Sequence, residues 1–119
     1  MTFFSLRIRP HVQAELDAAR VSEQRGEFST AFRLLERAHV LGQTATREHV
    51  RVHWHMLRFA WRNRQPREMV GQAWRLVAAA LFTPLGLVPA GNTGGANVSA
   101  FQRMAVAPEL AAAISAARR

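Results

Sequence analysis

The chain predicts an all-α domain of four to five helices folded as antiparallel hairpins, and three observations carry that reading. Apolar residues recur at helical spacing between residues 10 and 82, and no stretch alternates with the period of two that marks a strand. Pro10, Pro66 and Pro108 stand where helices open, and Gly26, Gly42 and Pro84 stand where they close. Gly26, Phe28, Ala31, Leu35 and Ala38 occupy the offsets used by the turn and second helix of a tetratricopeptide unit, where small residues let two antiparallel helices approach closely.

Taken in order, the first helix is expected to use Pro10 as its first-turn residue and to run to about Arg25, with Gly26 in the left-handed position beyond it. The second opens near Ser29 or Thr30, either of which can cap it, and runs through AFRLLERAHVL to Gly42. The third starts after Thr44 or Thr46 and continues to about Asn63. The fourth takes Pro66 in its first turn and reaches about Phe82, where Pro84 ends it. These four make a body over 10–82. Segment 83–107 carries Gly86, Gly91, Gly94 and Gly95 together with Pro84 and Pro89, so it is expected to be an irregular strap over the bundle. An Ala-rich helix over 108–117 closes the single domain, 1–119. Glu15 stands where a tetratricopeptide unit has its first-helix aromatic. Two hairpins are also fewer than the repeats a solenoid normally needs, so the strap and last helix would serve as a cap.

Composition removes several classes of function. A chain of 119 residues fits one domain, and a hydrophobic share of 49% is too high for a disordered one. There is no Cys, which excludes disulfides, thiolate metal ligands and cysteine nucleophiles. All sixteen basic residues are Arg and only eight residues are acidic, for a net charge of +8. The arginines are spread from Arg7 to Arg119, with the densest group at Arg58, Arg62, Arg64 and Arg67. That spread reads as a solvated Arg-rich surface in preference to a nucleic-acid site. The opening MTFFSLRIRP holds no apolar stretch of signal-peptide length, and the longest apolar run, Leu76 to Ala90, is interrupted and too short to span a membrane. The expectation is a soluble, cytoplasmic protein.

The strongest chemical signal is a histidine cluster. His39, His49, His53 and His55 fall within AHVLGQTATREHVRVHWHML. His49 and His53 are spaced i, i+4 and share a helix face, and Glu36 and His39 form a second pair at i, i+3. Thr44 marks the middle of the turn between the second and third helices. His39 and His49 are equally distant from it, so an antiparallel hairpin sets them level, with Glu36 level with Val52 and His53 one turn further in. Phe32, Leu35 and His39 form the stripe that should face the third helix. That helix carries two apolar stripes, His49, Val52, His53, Met56 and Ala60 on one side and Val50, Trp54, Leu57 and Trp61 on the other. Such a helix is expected to be central, with neighbours on both sides, and its histidines to point inward.

Interior imidazoles need partners for both ring nitrogens. A hydrogen-bonded polar cluster would supply them. So would a metal ion held by His39, His49 and His53 with Glu36 as fourth ligand. That donor set suits Zn, Cu, Ni, Co or Fe in the divalent state, whereas Ca²⁺ or Mg²⁺ wants more oxygens. Met56 would tilt the site towards copper if it were a ligand, and otherwise fills core. Glu15, paired with His11 at i, i+4, either enters the site from the side or only solvates its helix. Gln43, Thr46 and Glu48 are candidates to orient an imidazole. His55 points away from the face of His53. Because ligands must be deprotonated, affinity is expected to fall below about pH 6.

Other motifs carry less. GNTGGANVS, at 91–99, lacks the Lys and following Ser or Thr of a phosphate-binding loop, and no strand precedes it. It reads as a tight segment crossing close to the helices, with Asn92 and Asn97 available to bond exposed helix ends. Asn97-Val98-Ser99 is formally a glycosylation sequon. The single Asp, Asp17, excludes a Ser-His-Asp set. Glu36 beside a metal-bound water can in principle act as a base, but nothing in the chain requires catalysis. Trp54, Trp61 and Trp74 recur at helical spacing and read as core.

The residues RIRP, LLERAHVLGQTATREHVRVHW and PAGNTGGANVSAF resemble the bacterial family called Domain of Unknown Function 3703, over nearly the whole chain. The resemblance implies a compact helical domain whose shared pattern includes Glu36, His39, His49, His53 and the GNTGGANVS segment, and not position 55. It also implies an association with heavy-metal resistance genes, without an established activity. The expected function is transition-metal binding in sequestration, resistance or sensing. The alternative is a helical adaptor for another protein in which the histidines are structural, and a third is an Arg-mediated nucleic-acid binder.

Overall fold

The computed structural model describes residues 2–98 and 102–119, and it is all-helical. Its helices are α1 (Phe3–Gln24), α2 (Phe28–Gly42), α3 (Thr46–Arg62), α4 (Pro66–Phe82) and α5 (Pro108–Arg118), with a 3₁₀ turn over Thr83–Leu85 directly after α4. Among the described residues there is no strand, and no helix is long and apolar enough to cross a membrane. Ser99, the last residue of the sequon and of GNTGGANVS, lies outside the described residues.

α1 begins seven residues before the expected Pro10. Thr2 caps it by accepting a hydrogen bond on its hydroxyl oxygen from the Ser5 N–H, 3.1 Å away, and Pro10 sits inside the helix. The reason is packing. Ser5, Ile8, Val12, Leu16 and Ala19 form one buried stripe that extends to both sides of Pro10. Burying Ile8 together with Val12 outweighs the one N–H that the proline lacks. Pro10 itself is exposed, so Pro10→Ala restores a donor without disturbing the core. It is expected to stabilise the protein by about 1–3 kcal/mol, read as a raised midpoint in thermal or urea unfolding.

The turn from α1 to α2 is a complete helix C-terminal motif. Gly26 takes φ +76°, its N–H donates to Glu23 O at 3.0 Å, and the Glu27 N–H donates to Ser22 O at 2.9 Å. This closure fixes the start of α2 at Phe28, so Ser29 and Thr30 lie in its first turn and neither caps it. The same pair of bonds recurs after α3, where Arg64 takes φ +54° and the Gln65 N–H reaches Ala60 O at 2.9 Å.

α1 packs on α2, α2 on α3, and α3 on α4, while α5 lies across α1 and α2. The core sits between α1, α2 and α3, built on Ile8, Val12, Leu35, Val52, Met56 and Phe59, with Leu110 entering from α5. Ala31 and Ala38 are buried. The Phe32 and Phe59 rings meet at 5.6 Å between centroids, locking α2 to α3. α3 is not covered on both sides as expected: Trp54 is 50% exposed and Trp61 70%. The stripe of His49, Val52, His53, Met56 and Ala60 is buried throughout, together with Glu48 and Phe59 beside it, whereas Val50 and Leu57 on the second stripe are only half-buried.

Candidate metal centre

His39 sits in the last turn of α2, and His49 and His53 lie one turn apart on the buried stripe of α3. Small and close-packed neighbours bring the two helices together here: a Cβ added at Gly42 would stand 2.9 Å from Glu48 Cβ. The result is that three imidazoles meet edge on. Their Nε2 atoms form a triangle with sides of 2.9 Å (His39–His49), 3.0 Å (His39–His53) and 3.2 Å (His49–His53). All three residues are buried.

Each outward ring nitrogen is engaged separately. His39 Nδ1–H donates to the main-chain oxygen of Asn92 at 2.6 Å. His53 Nδ1–H donates to Gln72 Oε1 at 2.6 Å. The Gln72 amide has no freedom to flip, because its nitrogen donates to Gly94 O at 2.7 Å and to Glu68 Oε2 at 2.7 Å, both acceptors. His49 Nδ1 faces Thr83 Oγ1 at 2.7 Å. Two tautomers are therefore fixed by oxygens that can only accept, and the third ring meets a hydroxyl that accepts or donates. With protons on Nδ1, the Nε2 atoms present three lone pairs to one point. Even a proton on His49 Nε2 satisfies only one side of the triangle.

The electrostatics agree. Burial pushes the His49 imidazole down to about 3 and the His53 imidazole down to about 4, from an ordinary 6.5, and the His53 ring adds to the effect at His49. His39 is lowered well below its ordinary value by burial and by both other rings. All three are neutral at physiological pH, which is the ligating form. Among the described residues they are the group of His, Asp and Glu side chains close enough to share an ion. Neighbouring ligand nitrogens on one metal, with bonds of ~2.0–2.1 Å, lie about 3 Å apart, which is the spacing seen here.

The profile of a family described as "Protein of unknown function (DUF3703)" matches residues 6–114. The chain belongs to that family. No curated protein and no solved structure matches, so what this DUF3703 member does rests on its own site.

Other expected site residues stand elsewhere. Glu36, the expected fourth ligand, is outside the triad: it lies on the turn before His39, is half-buried, and its carboxylate takes a hydrogen bond from Thr93, with burial raising its pKa. Glu48 is buried but faces the other way, bonded to Arg51 at 2.6 Å and Arg9 at 3.5 Å. Gln43 donates to Pro89 O beside the site and touches no imidazole nitrogen. Thr46 opens α3. Glu15 is paired with Arg37 at 3.1 Å, Met56 is in the hydrophobic core, and His55 is half-exposed beside Arg51 and Arg58. The groups that do orient the imidazoles, Gln72, Thr83 and Asn92, come from α4, the 3₁₀ turn and the segment after it.

That segment is held close by glycine and by asparagine. Asn92 Oδ1 accepts from the Gly94 N–H at 2.8 Å, while its amide donates to Gln102 O at 2.7 Å. Gly94 takes φ +84°, and a Cβ there would stand 2.5 Å from His39 Cδ2. Gly94→Ala must therefore displace the His39 ring as well as strain its own backbone. For an ion held by the three rings, it is expected to weaken binding by about 10- to 100-fold while the helical circular-dichroism signal persists, as measured by competition with a chromophoric chelator.

Proposed function

We propose that the protein binds one divalent transition-metal ion through the Nε2 atoms of His39, His49 and His53. The observation that carries this reading is the convergence of three neutral imidazoles whose other nitrogens are already bonded. In a buried, proton-free site, three lone pairs about 3 Å apart repel one another, and a cation turns that repulsion into ligation. Gln72, Thr83 and Asn92 supply the outer contacts that fix ring orientation at such sites. Neutral nitrogen ligands favour Zn(II), Co(II), Ni(II), Cu(II) or Fe(II). Three ligands on one face leave coordination positions open, so the ion stays exchangeable, which suits sequestration or sensing in the cytoplasm. Glu36 bonds Thr93, so the ligand set proposed is the three histidines.

The test is elemental analysis of untagged protein after equilibration with Zn(II) or Co(II) and removal of free ion. One metal per chain is expected, falling below a tenth in His49→Ala and His53→Ala. Unchanged content in both variants refutes the assignment.

A second reading has its own support. Val70, Trp74, Val77 and Leu81 on α4 are each at least half exposed at i, i+4, i+7 and i+11, the pattern of a helix face that packs on another helix. This is compatible with an adaptor role alongside metal binding. Nucleic acid has less support, because Arg9, Arg37, Arg51 and Arg62 are engaged by Glu side chains.

A further inference from the structure

We infer that the open side of the trihistidine centre is a receptor for a small carboxylate-type anion, of formate, acetate or bicarbonate size, bound jointly by the metal and by Arg75. This inference rests on the metal reading above and names the ligand that would share the ion.

The first observation is a buried cation that makes no direct ion pair among the described residues, with Glu68 acting on it only from a distance. Arg75, on α4, is only 9% exposed and lines the same cavity as the three histidines. Its Nη1 donates to Gly71 O at 3.1 Å and its Nη2 donates to Val98 O at 2.5 Å. Its Nε is buried with no hydrogen-bond partner, and among the described residues Arg75 forms no ion pair. A buried N–H left unsatisfied is costly and marks a place where a partner belongs. The guanidinium stays charged in any protein setting.

Charge balance is the second. Neutral imidazoles do not offset a divalent ion, so the metal and Arg75 together place three positive charges in one interior site. Glu68 acts on Arg75 from a distance and offsets one of these charges, but its Oε2 is bonded to the Gln72 amide and to the Ala96 N–H at 2.9 Å, and a net positive charge remains. Uncompensated buried charge is expensive, and an anion on the open metal position relieves it.

Shape is the third. The cavity beside the histidines has a volume of about 30 Å³, with a wall of Ala78, Ala79, Phe82, Leu87 and Val88. Room for one water takes ~10–15 Å³, so the space is that of about two or three waters and admits only a very small anion. A carboxylate fits these demands: one oxygen to the metal, the other to the Arg75 Nε–H, and a hydrogen or methyl against the apolar wall. Phosphate and sulfate are too large and too highly hydrated for that wall.

The test uses the full chain loaded with Co(II), whose visible spectrum reports its coordination sphere. Titration with acetate and with formate at pH 7 is expected to change the spectrum saturably, while pivalate and phosphate at equal ionic strength do not. Arg75→Gln is expected to keep one Co(II) per chain and to weaken acetate binding at least 10-fold. If Co(II) is bound but the spectrum ignores every small carboxylate, this inference fails and the metal reading stands. Equal binding of pivalate, or unweakened acetate binding in Arg75→Gln, also overturns it. If Co(II) is not bound at all, the metal reading fails first and takes this one with it. Should Arg75→Gln not fold, the size series in the unaltered protein decides alone.

Discussion

Saturating the metal-free protein with Zn(II) or Co(II) is expected to raise its melting temperature by at least ~10 °C. A ligand that binds only the folded state, at a thousand times its dissociation constant, adds about 4 kcal/mol, and a chain of this size gains several degrees for each kcal/mol. The shift belongs to the triangle of Nε2 atoms, with sides of 2.9 to 3.2 Å. Without a cation, that triangle is a point of repulsion inside the core; with one, it cross-links α2 to α3. His53→Ala removes one corner and leaves Gln72 Oε1 without its donor, so it should lose both the shift and a further ~2–4 kcal/mol of stability. His11→Ala, on the exposed side of α1, should keep the full shift. Differential scanning fluorimetry with and without chelator measures all three. A metal-induced rise below about 2 °C in the unaltered protein would mean that the imidazoles form a polar knot and nothing more.

How much of this site could be read in the residues follows from the range of the interactions involved. The meeting of His39 with His49 and His53 depends on helical spacing and on the register of one tight hairpin, and both are local. The helix ends at Gln24, Arg62 and Phe82 are local too, set by Gly26, by the chain just before Pro66 and by Pro84. The start of α1 is hidden in the sequence because Pro10 satisfies the rule for a first turn, whereas the buried stripe running back to Ser5 exists only once α2 and α5 have packed. Glu36 stands apart from the three rings for a related reason. Its level on α2 fits the site, but Thr93 reaches it from a segment whose path no periodicity describes. Gln72, Thr83 and Asn92 were beyond reach altogether, since each lies far along the chain from the ring it holds. One trace of them was visible. A Gly-rich segment marks a close crossing, and Gly94 does stand against the His39 ring, though nothing local says which residue it crosses. The likeness of the hairpins to tetratricopeptide units remains a matter of residue offsets.

Acid should unfold the metal-free protein before it protonates the site. In the fold, the imidazoles of His49 and His53 are pushed down to about 3 and about 4, and that of His39 well below its ordinary value, chiefly by burial. In the unfolded chain all three return to 6.5. Below that pH the unfolded state takes up protons that the folded state refuses, so stability is complete above it and falls as the pH drops towards the folded values. The slope is ~1.4 kcal/mol per pH unit for each imidazole, or roughly 4 kcal/mol per unit for three. His55, also lowered by burial, adds in the same direction. Glu36 opposes it, since its raised carboxyl is protonated more readily in the fold. By pH 5 the three imidazoles alone remove about 6 kcal/mol, enough to bring a domain at the lower end of the usual ~5–15 kcal/mol to its unfolding midpoint. The same reasoning moves the pH limit of metal binding. An ordinary imidazole would release its ion below about pH 6, as expected from composition, but here protons cannot compete until the helices part. The Co(II) absorbance and the far-ultraviolet circular dichroism should therefore fall together, in one transition displaced to lower pH than that of the metal-free protein. Release of the ion near pH 6 from a chain that is still fully helical would show that the imidazoles titrate in the fold, and that they are not the buried, neutral ligands described here.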